Sequence, residues 1–304
     1  IKGSAYPIYL FGKVGTGDFT AMLIVAAVVL LLFALMWVLI SRSFLKIATA
    51  TGKTAKKKYR ETVARKRSVQ SALLHKEFAR FVSSPNYMLN CGLGILLLPV
   101  LGIALLIKGN TLMLVMNELF GKNSGSAAVV LFTAVCAVAS MNDTAAPSIS
   151  LEGKSLWTLQ SLPVKPLDVL RAKLNMQLIL TGVPVIICML CAAFMFTPLQ
   201  FAAAFVSALT FVLLLALFDL FVGLKMPNLN WTSEITPIKQ SGGVMIAMLG
   251  GFIYTVIYCA LFFMVGYKLG AVQFLLAVAA INLILSVLIY LWLKKKGTAV
   301  FSAL

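Results

Sequence analysis

Apolar positions in this chain fall in long unbroken runs rather than in alternation. Seven of them, Phe19 to Ile40, Asn86 to Ile107, Ser124 to Met141, Leu174 to Phe196, Leu199 to Leu220, Gly242 to Gly266 and Ala271 to Leu293, approach the ~20 residues a helix needs to cross a hydrocarbon core of about 30 Å. The third is the shortest, and the fifth carries Asp219 near one end. A spanning β-barrel would alternate apolar and polar residues with period two, so the pattern excludes one. It predicts an all-α membrane protein with seven transmembrane helices.

The polar stretches between the runs are uneven. From Ser41 to Ser84 a basic half, with Lys53, Lys56, Lys57, Lys58, Arg60, Arg65, Lys66 and Arg67, precedes an amphipathic half. The basic half suits anionic lipid head groups. In the second half Leu74, Phe78, Phe81 and Val82 recur at helical spacing while Lys76, Glu77 and Arg80 point away, which predicts a helix lying in the membrane interface before the chain turns inward at Pro85.

The segment LEGKSLWTLQSLPVKPLDVLRAK, Leu151 to Lys173, mixes turn signals, charge and helical spacing more sharply than any other. Leu151, Ser155, Leu159 and Leu162, with Leu156 beside them, predict a short helix with one apolar face, and Glu152, Lys154 and Gln160 face elsewhere. Pro163 and Pro166 end it, and Pro166 with Asp168 favours the start of a new helix. The expected device is a short helix, a stiff turn and a helix entering the membrane.

Composition agrees with this class: 61% of residues are apolar and the mean hydropathy is +0.99. The net charge of +17 is not a nucleic-acid signature, because 21 of the 26 lysines and arginines occupy alternate loops on one side. Each costs about 2.5–3.5 kcal/mol at a helix centre, and cytoplasmic loops collect them. The chain is therefore expected to begin outside and to end in the cytoplasm, with Leu151 to Lys173 cytoplasmic. The chain begins with Ile1 rather than Met, and its start is expected to sit inside a longer natural chain.

Chemistry is sparse. Cys91, Cys136, Cys188, Cys191 and Cys259 all lie in apolar runs, and no metal site or disulfide framework is expected from them. Gly52-Lys53-Thr54 resembles the end of a phosphate loop, yet Ile47 stands where the pattern needs glycine. His75, the sole histidine, has no partner in sequence reach. With no paired carboxylates or activated nucleophile, no catalytic residue is expected and the chain is not expected to be an enzyme. Inside the spans, Asp219 lies near enough to the cytoplasmic end for solvation or pairing with Lys225, and Asn282 is a candidate for buried hydrogen bonding; together they are the candidate intramembrane polar site.

The layout resembles the permease of a bacterial type-2 ABC exporter. The resemblance lies in HKEFARFVSSPNYMLN, His75 to Asn90, in SISLEGKSLWTLQSLPVKPLDVLRAKL, Ser148 to Leu174, and in an interfacial helix followed by six spans with a long loop between the second and third. It implies that residues 1–40 hold an extracellular lead-in and the last helix of a preceding half, that 41–85 form a basic linker and interfacial helix, and that 86–304 form one six-helix permease half with a coupling loop at 142–173. It implies further that Glu152, Gly153, Lys154, Trp157, Leu159, Leu162, Pro163 and Pro166 contact an ATP-binding cassette subunit. ATP and Mg would bind to that partner and no cofactor to this chain. The other implied partners are the lipid bilayer and an N-terminal permease half or second copy, in a bacterial cytoplasmic membrane. One departure stands out: the family often has re-entrant helices between its last two spans, and Tyr267 to Gly270 leaves little room for them. The alternative is an ATP-independent secondary transporter or channel using Asp219 and Asn282.

Overall fold

The computed structural model describes residues 6–49, 68–120 and 125–304, and the basic stretch 53–67 with the Gly52-Lys53-Thr54 sequence lies outside them. Two compact units divide the chain, Ile1–Arg65 and Lys66–Leu304. Among the described residues all regular structure is helical.

In the first unit, α1 (Tyr6–Gly15) leads through a tight turn into α2 (Phe19–Ala48), 30 residues long. Asp18 starts α2 by accepting from Thr20 N at 3.0 Å and from Ala21 N at 3.3 Å, and Lys13 Nζ pairs with it at 2.6 Å. Leu23, Leu30, Leu31 and Leu39 are exposed within this unit, as suits a helix surrounded by hydrocarbon.

In the second unit α3 (Val69–Ser83) and α4 (Pro85–Cys91) precede α5 (Leu93–Phe120). Ser84 caps α4 by accepting from Tyr87 N at 3.3 Å. The second span thus begins at Leu93, not Asn86, because the helix breaks at Gly92 and Pro85–Cys91 stays with the polar end. The third apolar run forms α6 (Ser126–Ala139), 14 residues or about 21 Å of helix, too short alone to cross about 30 Å. Residues 140–155 follow it through a short α7 (Ala145–Ser148) and a 3-10 segment, Ser150–Ser155. Irregular backbone needs protein around it to satisfy its polar groups, and here residues 142–153 are buried.

Next come α8 (Leu156–Ser161), α9 (Pro166–Cys191), α10 (Pro198–Lys225), α11 (Ile235–Lys239) and α12 (Gly242–Leu261). The last of these runs through a π turn, Phe262–Gly266, into α13 (Tyr267–Leu269), and Gly270 at φ 90° stops it. Then α14 (Ala271–Trp292) runs through a second π turn, Leu293–Gly297, into α15 (Thr298–Ala303). Tyr267 to Gly270 therefore holds no re-entrant helix. Among the described residues six helices are long and apolar enough to cross a membrane, and the seventh predicted span is the short α6.

Packing centres on α10, which touches α6, α7, α9, α12 and α14. In lipid, helices associate through close packing and hydrogen bonds rather than through release of water. Ala203, Ala204, Ser207 and Ala208 give α10 a small-residue buried face, and Ser207 Oγ donates to Leu275 O of α14 at 2.7 Å. Gly223 lets α7 cross α10, since a Cβ there would collide with Ala146 O. Gly102 of α5 meets α9 at Cys188, where a Cβ would stand 3.2 Å from Cys188 Cα, so this cysteine lines a helix crossing. All five cysteines are free thiols.

Candidate functional site

The polar end of the second unit gathers α3, the segment 142–161, the start of α9 and the loop 226–241. Its core is an ion cluster. Lys173 Nζ is completely buried and uses all three of its protons, donating to Glu77 Oε1 at 3.0 Å, Glu152 Oε1 at 2.8 Å and Ser148 O at 2.9 Å. Glu152 also accepts from Lys76 Nζ at 2.9 Å and from Arg80 Nη2 at 2.6 Å, while Arg80 Nη1 lies 3.7 Å from Glu77. Three cations and two carboxylates thereby join α3, the 3-10 segment and α9. Burial alone would raise the Glu152 carboxyl, but Lys173, Arg80 and Lys76 together hold it well below the ordinary carboxylate range. Burial pushes the Lys76 ammonium down, with Lys173 adding to it and Glu152 opposing.

This arrangement reverses two expectations. On α3 the charged residues do not point away: Leu73, Glu77 and Phe81 form the buried face. Val82, assigned to the apolar face, is 65% exposed, and Leu74 and Phe78 are half-buried beside Phe81. The reason is that Glu77 faces Lys173 across 96 positions of sequence, which periodicity within α3 cannot reveal. Likewise Glu152 does not face elsewhere but is buried at the centre of the cluster.

The segment 150–163 is built on this anchor. Gly153 adopts φ 50° and ψ −134°, a conformation that favours glycine, and the Trp231 ring covers it, 3.1 Å from where a Cβ would be. Trp231 Nε1 donates to Ser150 O at 2.6 Å and Asn228 N donates to Ser150 Oγ at 2.9 Å, so the loop after α10 clasps the turn. Gly153 is therefore enclosed rather than displayed. The predicted single helix is a 3-10 segment followed by α8, broken at Gly153. Leu156 and Leu159 (6% exposed) anchor α8 against Val169, Leu170 and Phe301, and Gln160 Nε2 donates to Phe301 O at 3.0 Å. Trp157 is 67% exposed and Leu162 47%, and Pro163 is exposed beside them. Leu162 thus lies outside the buried face, and the side chain of Lys154 lies outside the described residues.

Pro166 occupies the first turn of α9, with Asp168 following, as the spacing predicts. That helix is the span itself, so no boundary separates the loop from Leu174 and Lys173 belongs to the helix. A displacement of α8 reaches α9 through four residues, 162–165.

The two intramembrane polar candidates do not meet. Asn282 Oδ1 accepts from Tyr254 OH at 2.7 Å and its Nδ2 donates to Thr210 Oγ1 at 3.4 Å, which ties α14 to α12 and α10. Asp219 is completely buried and accepts from Gln177 Nε2. Its expected pairing with Lys225 is absent: Lys225 is exposed, with Nζ 5.2 Å from the Trp292 ring centroid. No group of three or more metal-ligating side chains occurs among the described residues.

Apolar spanning helices around a closely packed centre, with charge gathered at one end, define a multi-span helical membrane protein. The sequence matches the family described as membrane proteins of 12 TMs over residues 4–296, and the chain belongs to it. No curated protein and no solved structure matches the sequence.

Proposed function

We propose that this chain is the membrane-spanning permease of an ATP-driven exporter, moved by a separate ATP-binding cassette subunit that docks on α8. One observation carries the reading: α8 buries Leu156 and Leu159 while Trp157, with Leu162 and Pro163 just after the helix, faces outward, and the 3-10 segment before α8 is held to α3 and α9 by a buried ion cluster. An exposed aromatic beside an aliphatic residue suits the buried anchor of a protein interface. The prolines leave little slack between that anchor and a span of 26 residues. A partner that contacts the anchor differently with and without nucleotide would shift the helices by the difference in contact energy.

In this proposal ATP and Mg bind to the partner, and this chain contributes no catalytic residue. The charged end faces a bacterial cytoplasm, following the lysine and arginine bias, and the C-terminus lies there too. A further permease half, from the same longer chain or from a second copy, completes the pathway. Affinity purification of the chain from native membranes tests the reading. A cassette ATPase is expected to co-purify in stoichiometric amount, with hydrolysis stimulated by the permease; a pure permease without one would overturn it. The alternative, an ATP-independent secondary transporter or channel, draws chiefly on the enclosed Asp219, since Asn282 is hydrogen-bonded to Tyr254 and Thr210.

A further inference from the structure

The strand of backbone between α6 and α7 sits where unpaired polar groups are hardest to accommodate. Asn142 and Thr144 are completely enclosed, Asp143 nearly so, and Asp219 lies beside them on α10. Gln177 of α9 brings these together. Its Nε2 donates to Asn142 O at 2.9 Å and to Asp219 Oδ2, and its Oε1 accepts from Ala145 N at 2.7 Å. A single amide nitrogen touching both acceptors holds the Asp219 carboxylate against residues 142–145.

Those bonds use both N–H donors of Gln177, and several neighbours remain unsatisfied. Asp219 Oδ1, Thr144 Oγ1, both amide atoms of Asn142 and Thr181 Oγ1 are buried without any hydrogen-bond partner. Thr181 lies one turn from Gln177 on the same face of α9. Gly94 of α5 packs against this turn, since a Cβ there would stand 2.6 Å from Val138 O and 2.8 Å from Asn142 Oδ1. Native proteins rarely leave such atoms unpaired, and where they do the site commonly serves an ion, a water or a function.

The neighbouring cations are committed elsewhere. Lys173, one turn before Gln177, is held by Glu77, Glu152 and Ser148 O, and Lys225 lies over Trp292. From α4, Tyr87 OH donates to Thr144 O at 2.5 Å, and Cys91 faces both acids, its thiol pushed up by burial and by Asp143 and Asp219. From α6 and α12 come Cys136, Tyr254 and Tyr258, of which Tyr254 stacks on Phe211, two turns away from Asp219. From the α14 side come Lys294, Lys295 and Lys296 in the π turn beyond Trp292. No cation is hydrogen-bonded to either aspartate among the described residues. Burial pushes the Asp143 carboxyl up to about 7, and Asp219, wholly enclosed, has one oxygen on Gln177 and the other without a hydrogen-bond partner.

We infer that Asp219, with Asp143, Thr144 and Thr181, forms a binding site for a monovalent cation, H+ or Na+, whose occupancy fastens residues 142–145 to α9 and α10. The donors are hard oxygens, which suit either ion. This inference is independent of the ATPase reading, because it is measured on the chain alone.

The test uses the purified full chain in lipid nanodiscs. Thermal unfolding is followed in NaCl against choline chloride at constant ionic strength and across pH, with infrared detection of protonated carboxyl groups, for the wild type, Asp219→Asn and Asp143→Asn. A saturable rise in Tm with Na+ that is lost in Asp219→Asn assigns Na+. A protonated-carboxyl band lost in Asp219→Asn, without a Na+ response, assigns H+. In either case Asp143 binds a proton more tightly folded than unfolded, so its contribution to stability is full below about pH 4 and is lost as pH rises through about 7. That slope disappears in Asp143→Asn. A wild type with no Na+ response, no such pH slope and ionised carboxylates throughout overturns the inference and leaves Asp219 as a structural acceptor for Gln177. These wild-type readings decide the matter even if a variant fails to fold.

Discussion

Lys173→Met is expected to destabilise the second unit by about 3–5 kcal/mol, the cost of removing one partner from a buried ion cluster. Lys173 lies wholly inside the protein and each of its three protons is used. Methionine preserves most of the side-chain volume, so the loss reports charge and hydrogen bonding rather than a cavity. Glu77 suffers most, because its remaining contacts are ion pairs of 3.7 and 3.8 Å, whereas Glu152 keeps Lys76 and Arg80. Lys173→Met combined with Glu77→Gln is therefore expected to recover part of the loss. Lys76→Met, at the solvent-exposed rim of the same cluster, should cost at most about 1 kcal/mol. Denaturant or thermal unfolding in detergent checks all three variants. Equal effects for Lys173 and Lys76 would contradict a cluster centred on the buried lysine.

Trp157→Asp with Leu162→Asp is expected to weaken association with the proposed cassette ATPase by at least ~100-fold in affinity, while leaving Tm unchanged. A buried aromatic anchor at an interface carries about 2–4 kcal/mol, and a charge in its place adds a desolvation cost on binding. Both residues face outward, so the folded chain itself loses little. Leu159→Asp is the contrasting variant. Leu159 packs in the cluster with Leu156, Val169 and Phe301, so its replacement should lower Tm and does not isolate docking. Binding measured against the purified ATPase, beside unfolding curves, separates the two. Undiminished binding by the Trp157 and Leu162 variant would remove α8 as the dock.

Six of the seven predicted spans were legible because continuous apolar runs reflect the solvent each helix meets, whereas the third run forms only the short α6. So was the stiff junction at Pro163 and Pro166, since proline constrains the backbone whatever surrounds it. The ion cluster was not legible. Lys76 and Glu152 stand 76 positions apart, and the amphipathic pattern of α3 shows two faces without showing what lies opposite either one. Glu77 and Glu152 carried a usable signal all the same: the chain has only nine acidic residues, and three of them, these two and Asp168, fall in the two stretches that stood out on other grounds. Asp219 misled for a related reason. Its nearness to Lys225 in sequence suggested a pair, but six residues along a helix turn the two side chains to different sides. The role of Trp231, closing over Gly153, depends on a contact between loops that no local spacing encodes.

The most direct measurement places a photoreactive benzoylphenylalanine in place of Trp157 in native membranes and identifies what it captures with and without ATP. A crosslink to an ATP-binding cassette protein, differing in yield between the nucleotide-bound and free states, is the predicted result. Capture of lipid alone, or labelling of residue 157 from the outer face, would contradict the account.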